Sequence, residues 1–176
     1  ILREILKFNT KTQFHFEIAA DRVNDEFIDI LSRFDEGIIR IEAGLQSVNE
    51  KTLKAVHRNC NLGKLAENTR RILEDTKAVY HLDLIAGLPY EDMESFKKSF
   101  DFAFNLHPHE LQLGFLKVLP GTLIAKEAEM HGIKHSLLPP YEIISNNYMS
   151  FGDLIRLKKL EAVLDLFHNS GLLRMS

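Results

Sequence analysis

Among its 176 residues the chain has one cysteine and no tryptophan. The lone Cys60 excludes an internal disulfide framework and any metal site built from several of this chain's own thiolates. A reducing cytoplasm is the expected setting. One-sided charge is missing too: 22 basic against 25 acidic residues give a net charge of −3, and the two signs are scattered. That balance argues against a nucleic-acid surface. No apolar run approaches the roughly 20 residues a membrane helix needs. Ile1-Leu2-Arg3-Glu4 lacks the layout of a signal peptide, and without an initiator Met it reads as the middle of a helix in a longer chain. Low-complexity tracts and short-period repeats are absent. So are the G-x-G-x-x-G and P-loop patterns, which weakens a doubly wound nucleotide-binding fold.

What is present is ordinary globular material, 45% hydrophobic, enough for a real core. Short apolar runs alternate with amphipathic stretches. Strands are expected over 13–20, 38–45, 78–86 and 111–118. The first helix carries Phe27, Ile30, Leu31 and Phe34 at helical spacing, with Asn24 as its N-cap. Ser47-Val48-Asn49-Glu50 has the form of a capping box and predicts a short helix from there to about Val56. Asn61 caps a longer helix. The stretch 92–106 follows, with Phe96, Phe100 and Phe104 as its core stripe. A short helix over 122–131, a proline-containing connection over 132–148 and a last helix opened by Ser150 complete the chain. That last helix has Leu154, Leu157, Leu160, Leu164 and Phe167 on one stripe and Gly171 as its stop.

Four rounds of strand and helix imply parallel strands with crossover helices. The predicted class is α/β: a partial (β/α) TIM-like barrel of about four parallel strands with outer helices and a C-terminal helix. The expected division is a partial barrel over 1–131 and an extension over 132–176 packing on it.

Strands of a parallel sheet are covered on both faces and usually read as continuous apolar runs. These alternate instead. Phe14, Phe16 and Ile18 oppose His15, Glu17 and Ala19. Ile39, Ile41, Ala43 and Leu45 oppose Arg40, Glu42, Gly44 and Gln46. Tyr80, Leu82, Leu84 and Ala86 oppose His81, Asp83, Ile85 and Gly87. The apolar set suits the helix layer, which leaves the polar set for the barrel interior. Buried carboxylates need partners. The interior is therefore a wet functional site or an internal salt-bridge network, for instance Arg40 with Glu42 or Asp83. Active sites of such barrels sit at the C-terminal strand ends, where Gln46 and Gly87 fall.

Phe16-Glu17-Ile18, Glu42-Ala43-Gly44-Leu45-Gln46-Ser47, His57-Arg58-Asn59 and Leu82-Asp83-Leu84-Ile85-Ala86-Gly87-Leu88-Pro89 stand in this order. Together they resemble the radical S-adenosylmethionine (SAM) superfamily. The nearest branch resembles oxygen-independent coproporphyrinogen III oxidase and anaerobic Mg-protoporphyrin IX monomethyl ester oxidative cyclase. Gln112-Leu113-Gly114-Phe115-Leu116-Lys117 and Pro139-Pro140-Tyr141-Glu142 resemble a cobalamin-binding subgroup of that superfamily.

The resemblance implies that the four strands are the third to sixth of a six-stranded barrel. It implies a C-x-x-x-C-x-x-C loop in a longer parent, holding a 4Fe–4S cluster that reductively cleaves SAM. Cys60 stands in the wrong place for that motif, so no catalytic or metal-ligating residue is assigned in this chain. Glu17 matches an acid at the SAM ribose, Gln46 a residue near the ribose and methionyl part, Arg58 a partner of the SAM carboxylate, and Asp83 an acid on the nucleoside side. Gly87 would let backbone approach the adenine. Where the family often has Gly-Glu-Thr after Gly-Leu-Pro, this chain has Tyr90-Glu91-Asp92.

The implied function is a cytoplasmic radical SAM oxidoreductase acting on a small molecule, oxidative cyclase-like in tetrapyrrole metabolism, with SAM, a 4Fe–4S cluster and cobalamin as cofactors of the parent. The alternatives are a non-catalytic barrel-derived binding or interaction module and, more remotely, an aldolase using Lys117. His107-Pro108-His109 reads as a loop, since a transition-metal site wants three or four ligands. Open sheet edges predict a homodimer.

Overall fold

The computed structural model describes residues 1–8 and 11–170. Four strands, β1 (Phe14–Ile18), β2 (Ile39–Gln46), β3 (Val79–Ala86) and β4 (Glu110–Phe115), form one sheet in the order β1-β2-β3-β4. β1 and β2 are parallel, with Phe14 opposite Ile39 and Ile18 opposite Ala43. The helices are α1 (Leu2–Ile5), α2 (Asp25–Leu31), α3 (Glu50–Ala55), α4 (Leu62–Asp75), α5 (Met93–Phe104), α6 (Leu123–Lys126) and α7 (Phe151–Leu164). Two short strands, β5 (Lys134–His135) and β6 (Ile143–Ser145), pair antiparallel within the connection that precedes α7. The α/β class and the parallel four-stranded sheet are those expected.

The alternation read from the sequence is the alternation of burial. On β2 and β3, Ile39, Ile41, Ala43, Leu45, Tyr80, Leu82, Leu84 and Ala86 are all buried. The residues between them are half-buried. On β4, Leu111, Leu113 and Phe115 are buried. Each fully buried Leu or Ile contributes about 1.5–3 kcal/mol, so this face drives the assembly.

The helix starts follow local chemistry. Asn24, Asn61 and Thr122 each accept the amide of the third residue beyond. Ser150 and Asp153 form a reciprocal capping box at α7. Ser47 does not cap α3. That helix begins at Glu50, and Asn49 accepts from the amides of Lys51 and Thr52. The Ser47 hydroxyl is committed to the Glu91 carboxyl.

The aromatic stripe also differs from expectation. Steps of four residues drift around a helix of 3.6 residues per turn. Phe96 is buried, but Phe104 is 40% exposed, and the buried line continues through Ser99, Ala103 and Leu106. On the last helix Leu154, Leu157 and Leu164 are buried. A wider turn over Asp165–Asn169 then shifts the phase and leaves Phe167 exposed. The expected stop at Gly171 lies outside the described residues. Among those residues no helix is long and apolar enough to cross a membrane.

The chain folds as two compact units. One takes residues 1–45, 60–83 and 103–111. There α4 packs on the turn Ala20–Arg22 and on α2. Asn68, buried on α4, donates to the carbonyls of Ala20 (2.8 Å) and Val23 (3.1 Å). The buried Tyr80 hydroxyl meets the Thr69 hydroxyl at 2.9 Å. Burial pushes the Tyr80 phenol up to about 12. The other unit takes residues 46–59, 84–102 and 112–176.

Candidate functional site

In the first unit the half-buried face of the strands carries a polar network. Arg40 pairs with Glu110. His15 Nε2 lies 2.8 Å from Glu42 Oε2. His81 Nε2 stands 3.4 Å from Asp83 Oδ1, and its Nδ1 is 3.8 Å from Glu110 Oε2. Burial holds the His81 imidazole below its ordinary value against the pull of Glu110 and Glu42. Glu17 faces Glu42 across the β1–β2 register and is exposed. The salt-bridge network expected as the plain reading of these strands is therefore present, with Glu110 as a partner for Arg40 that the sequence did not reveal. His109 is a structural acceptor, taking the Tyr80 amide at 3.0 Å. Among the described residues no cluster of His, Cys, Asp and Glu is arranged to hold a metal ion.

The second unit holds a cavity of about 400 Å³. Ala55, Val56, Ile85, Leu88, Leu116, Leu123 and Ile124 give it an apolar wall, and Gln46, His57 and Arg58 supply the polar side. Gln46 ends β2 in the left-handed region, at φ +68°, and His57 follows α3 at φ +52°. Such a conformation costs a non-glycine residue about 1–2 kcal/mol and persists where surrounding structure imposes it, typically at working sites. The Arg58 amide donates to Leu53 O at 2.9 Å, which fixes where this side chain departs from the helix end. Gln46 and Arg58, twelve residues apart in sequence, are thus brought to one concavity. Of the cavity walls, Leu123 and Ile124 had no signal in the sequence, because they arrive from a short helix far along the chain.

Gly87 follows β3 at φ +86°. Its carbonyl accepts from Asn146 Nδ2 at 2.9 Å. The place a Cβ would take lies 2.9 Å from Ile143 Cδ1 and 3.0 Å from Ile143 Cγ2. Gly87 is thus packed beneath β6 and does not line the cavity. Tyr90, at φ +61°, departs from the glycine common in the resembling family. Its ring meets His131 edge-on (5.2 Å between centroids) and Tyr148 at a tilt (5.1 Å). Its carbonyl accepts from Asn49 Nδ2 at 2.9 Å.

Next to it Glu91 is fully buried. Ser47 Oγ donates to Glu91 Oε1 at 2.5 Å and Ser99 Oγ to the same oxygen at 3.0 Å. Burial raises the Glu91 carboxyl to about 7, with the two serine hydroxyls opposing the shift and Asp92 adding to it. Sequence reasoning passed over this residue. A glutamate after Gly-Leu-Pro-Tyr looks like any loop carboxylate until its surroundings are seen.

Three comparisons bear on the fold. The family model of a protein of unknown function named DUF4080 matches residues 129–176. No curated protein matches the sequence. Among solved structures, coproporphyrinogen III oxidase (HemN) from Escherichia coli, a radical SAM enzyme, superposes with a TM-score of 0.66 at 19% identity. That match covers 94% of this chain and 36% of HemN. The radical SAM methyltransferase TsrM from Kitasatospora setae, solved with cobalamin and a [4Fe-4S] cluster, gives a TM-score of 0.60 at 14% identity, covering 80% of this chain and 30% of TsrM. Elp3 from the archaeon Methanocaldococcus infernus gives 0.59 at 18% identity, covering 87% of this chain and 42% of that one. At these identities the likeness establishes the fold alone, a partial TIM-like barrel. The chain spans about a third of the length of the structures it matches.

Proposed function

We propose that this chain is the central part of a radical SAM oxidoreductase and that its cavity receives part of SAM. The observation that supports this reading is the convergence of Gln46 and Arg58 on one apolar-walled concavity of about 400 Å³, in a chain with this fold. The donor set suits the ligand. Arg58 forms charge-assisted hydrogen bonds with a carboxylate, Gln46 both donates and accepts, and the wall of Leu88, Leu116, Leu123 and Ile124 takes an apolar or aromatic surface. When bound, SAM supplies the radical chemistry; this chain's residues bind and orient it. A 4Fe–4S cluster does not fit the residues present. The single Cys60 cannot furnish three thiolates, so those would have to come from outside these 176 residues. Action on a tetrapyrrole as an oxidative cyclase, and cobalamin as a further cofactor, extend the same reading.

The second reading is a non-catalytic barrel-derived binding module, one that holds SAM without chemistry of its own. Calorimetric titration of SAM into the chain tests the binding that both share. Arg58→Ala is expected to weaken affinity roughly 10- to 100-fold, the worth of a charged hydrogen bond. Unchanged affinity would remove Arg58 from the site, and no heat with the wild-type chain would sink both readings. Formation of 5′-deoxyadenosine by the longer, anaerobically reconstituted protein separates the enzyme from the module.

A further inference from the structure

The turn after β2 hangs on a buried carboxyl. Gln46 ends the strand in the left-handed region, and the next three residues must turn the chain into α3. Two amides of that turn have no partner in sheet or helix. The Val48 amide donates to Ser99 Oγ at 3.0 Å, and the Asn49 amide donates to Ser47 Oγ at 2.9 Å. Both hydroxyls in turn donate to Glu91 Oε1, at 3.0 and 2.5 Å. A second tie runs beside the first, from Asn49 Nδ2 to the Tyr90 carbonyl. One side chain therefore gathers the turn that carries Gln46 into the cavity and leads through α3 to His57 and Arg58.

We infer that Glu91 is a positioning residue: through the hydroxyls of Ser47 and Ser99 it fixes the turn Gln46–Asn49 and with it the polar side of the cavity. For its effect on ligand the inference rests on the SAM reading; for its effect on the turn it does not.

The chemistry of the two carboxyl oxygens makes the role testable. Oε1 receives both serine donors, while buried Oε2 has no hydrogen-bond partner among the described residues. A proton belongs on Oε2, since a bare buried carboxylate costs far more than a buried acid. The charged group that bears on it is Asp92, which also disfavours ionisation. Raising the pH through about 7 ionises Glu91 in place. Opening of the turn then becomes easier, because an opened Glu91 regains water.

Amide hydrogen exchange of the 176-residue chain, corrected for intrinsic rates, reads this directly. Between pH 5.5 and 8 the protection of Val48 and Asn49 is expected to fall roughly 30-fold in wild type, the linkage for a carboxyl held near 7 and released near 4.5. In Glu91→Gln it should stay flat. The same pH profile in both proteins would overturn the inference. Ser99→Ala, a milder change, should lower Val48 protection at every pH while keeping the pH dependence through Ser47. A Val48 amide unmoved in that variant would also overturn it.

SAM affinity supplies the second arm. Glu91→Ala is expected to weaken it about tenfold and Glu91→Gln less than twofold; equal affinities for wild type and Glu91→Ala would remove the effect on the site. If wild type binds no SAM, the SAM reading fails and the exchange profile alone decides Glu91.

Discussion

Gly87→Ala puts a methyl group where the structure has Ile143. Two separable costs follow. The first is conformational: at φ +86° an alanine gives up about 1–2 kcal/mol that glycine does not. The second is steric. The new Cβ would sit 2.9 and 3.0 Å from two carbons of Ile143, which is itself buried. Overpacking of this kind costs about 1–3 kcal/mol. The sum is about 3 kcal/mol, a large part of a typical domain's margin. Urea unfolding followed by far-UV circular dichroism should show a lower midpoint with an unchanged slope. Ile143→Ala alone should cost about 2–5 kcal/mol through lost burial. In the double variant the steric part vanishes, so the two effects should fall short of their sum by about 1–2 kcal/mol. Gly87→Asn isolates that part further, because asparagine tolerates the left-handed region yet carries the same Cβ. Strict additivity of Gly87→Ala and Ile143→Ala, within about 0.5 kcal/mol, would refute the contact and leave backbone strain alone.

Two further outcomes are expected. Asn68→Ala leaves the carbonyls of Ala20 and Val23 without their donor in a buried place, and should cost about 1–3 kcal/mol in the same urea assay; a change within 0.5 kcal/mol would mean that water replaces the side chain. His81 is held below its ordinary 6.5 by burial, so the unfolded chain takes up the proton first. Stability relative to His81→Gln should thus be constant above that value and decline as pH falls through it, levelling off below the folded value. Parallel thermal melts from pH 8 to 5 measure the difference, and parallel curves would contradict it.

The elements that were legible in the sequence are those set by neighbours along the chain. Asn24, Asn61 and Ser150 announce helices because a cap needs only the next three residues. The helix expected over 122–131 runs only over Leu123–Lys126. The strands were legible because one face is buried and the other is not, a difference that period-two alternation records. Ser47 misled for the same reason. Its local pattern is a capping box, but two residues distant in sequence, Ser99 and Glu91, compete for its hydroxyl. Phe104 misled because a four-residue step slowly leaves the buried face. β5 and β6 are too short to leave a period at all. Gln46 and Arg58, singled out by resemblance, line one cavity. The burial of Glu91 was invisible, since nothing within a few residues of it supplies its partners.

The division into two units has a consequence for anyone who would dissect this protein. The backbone changes units at residues 45/46, 59/60, 83/84, 102/103 and 111/112. Neither unit is a continuous segment, and no single scission releases one. Deletion mapping, the usual way to assign a binding activity to a region, removes parts of both once an N-terminal cut passes residue 45 or a C-terminal cut passes residue 112. Each unit also closes only when stretches from three separated parts of the chain have met. Point substitutions that leave the thread intact are the scale at which this molecule can be taken apart.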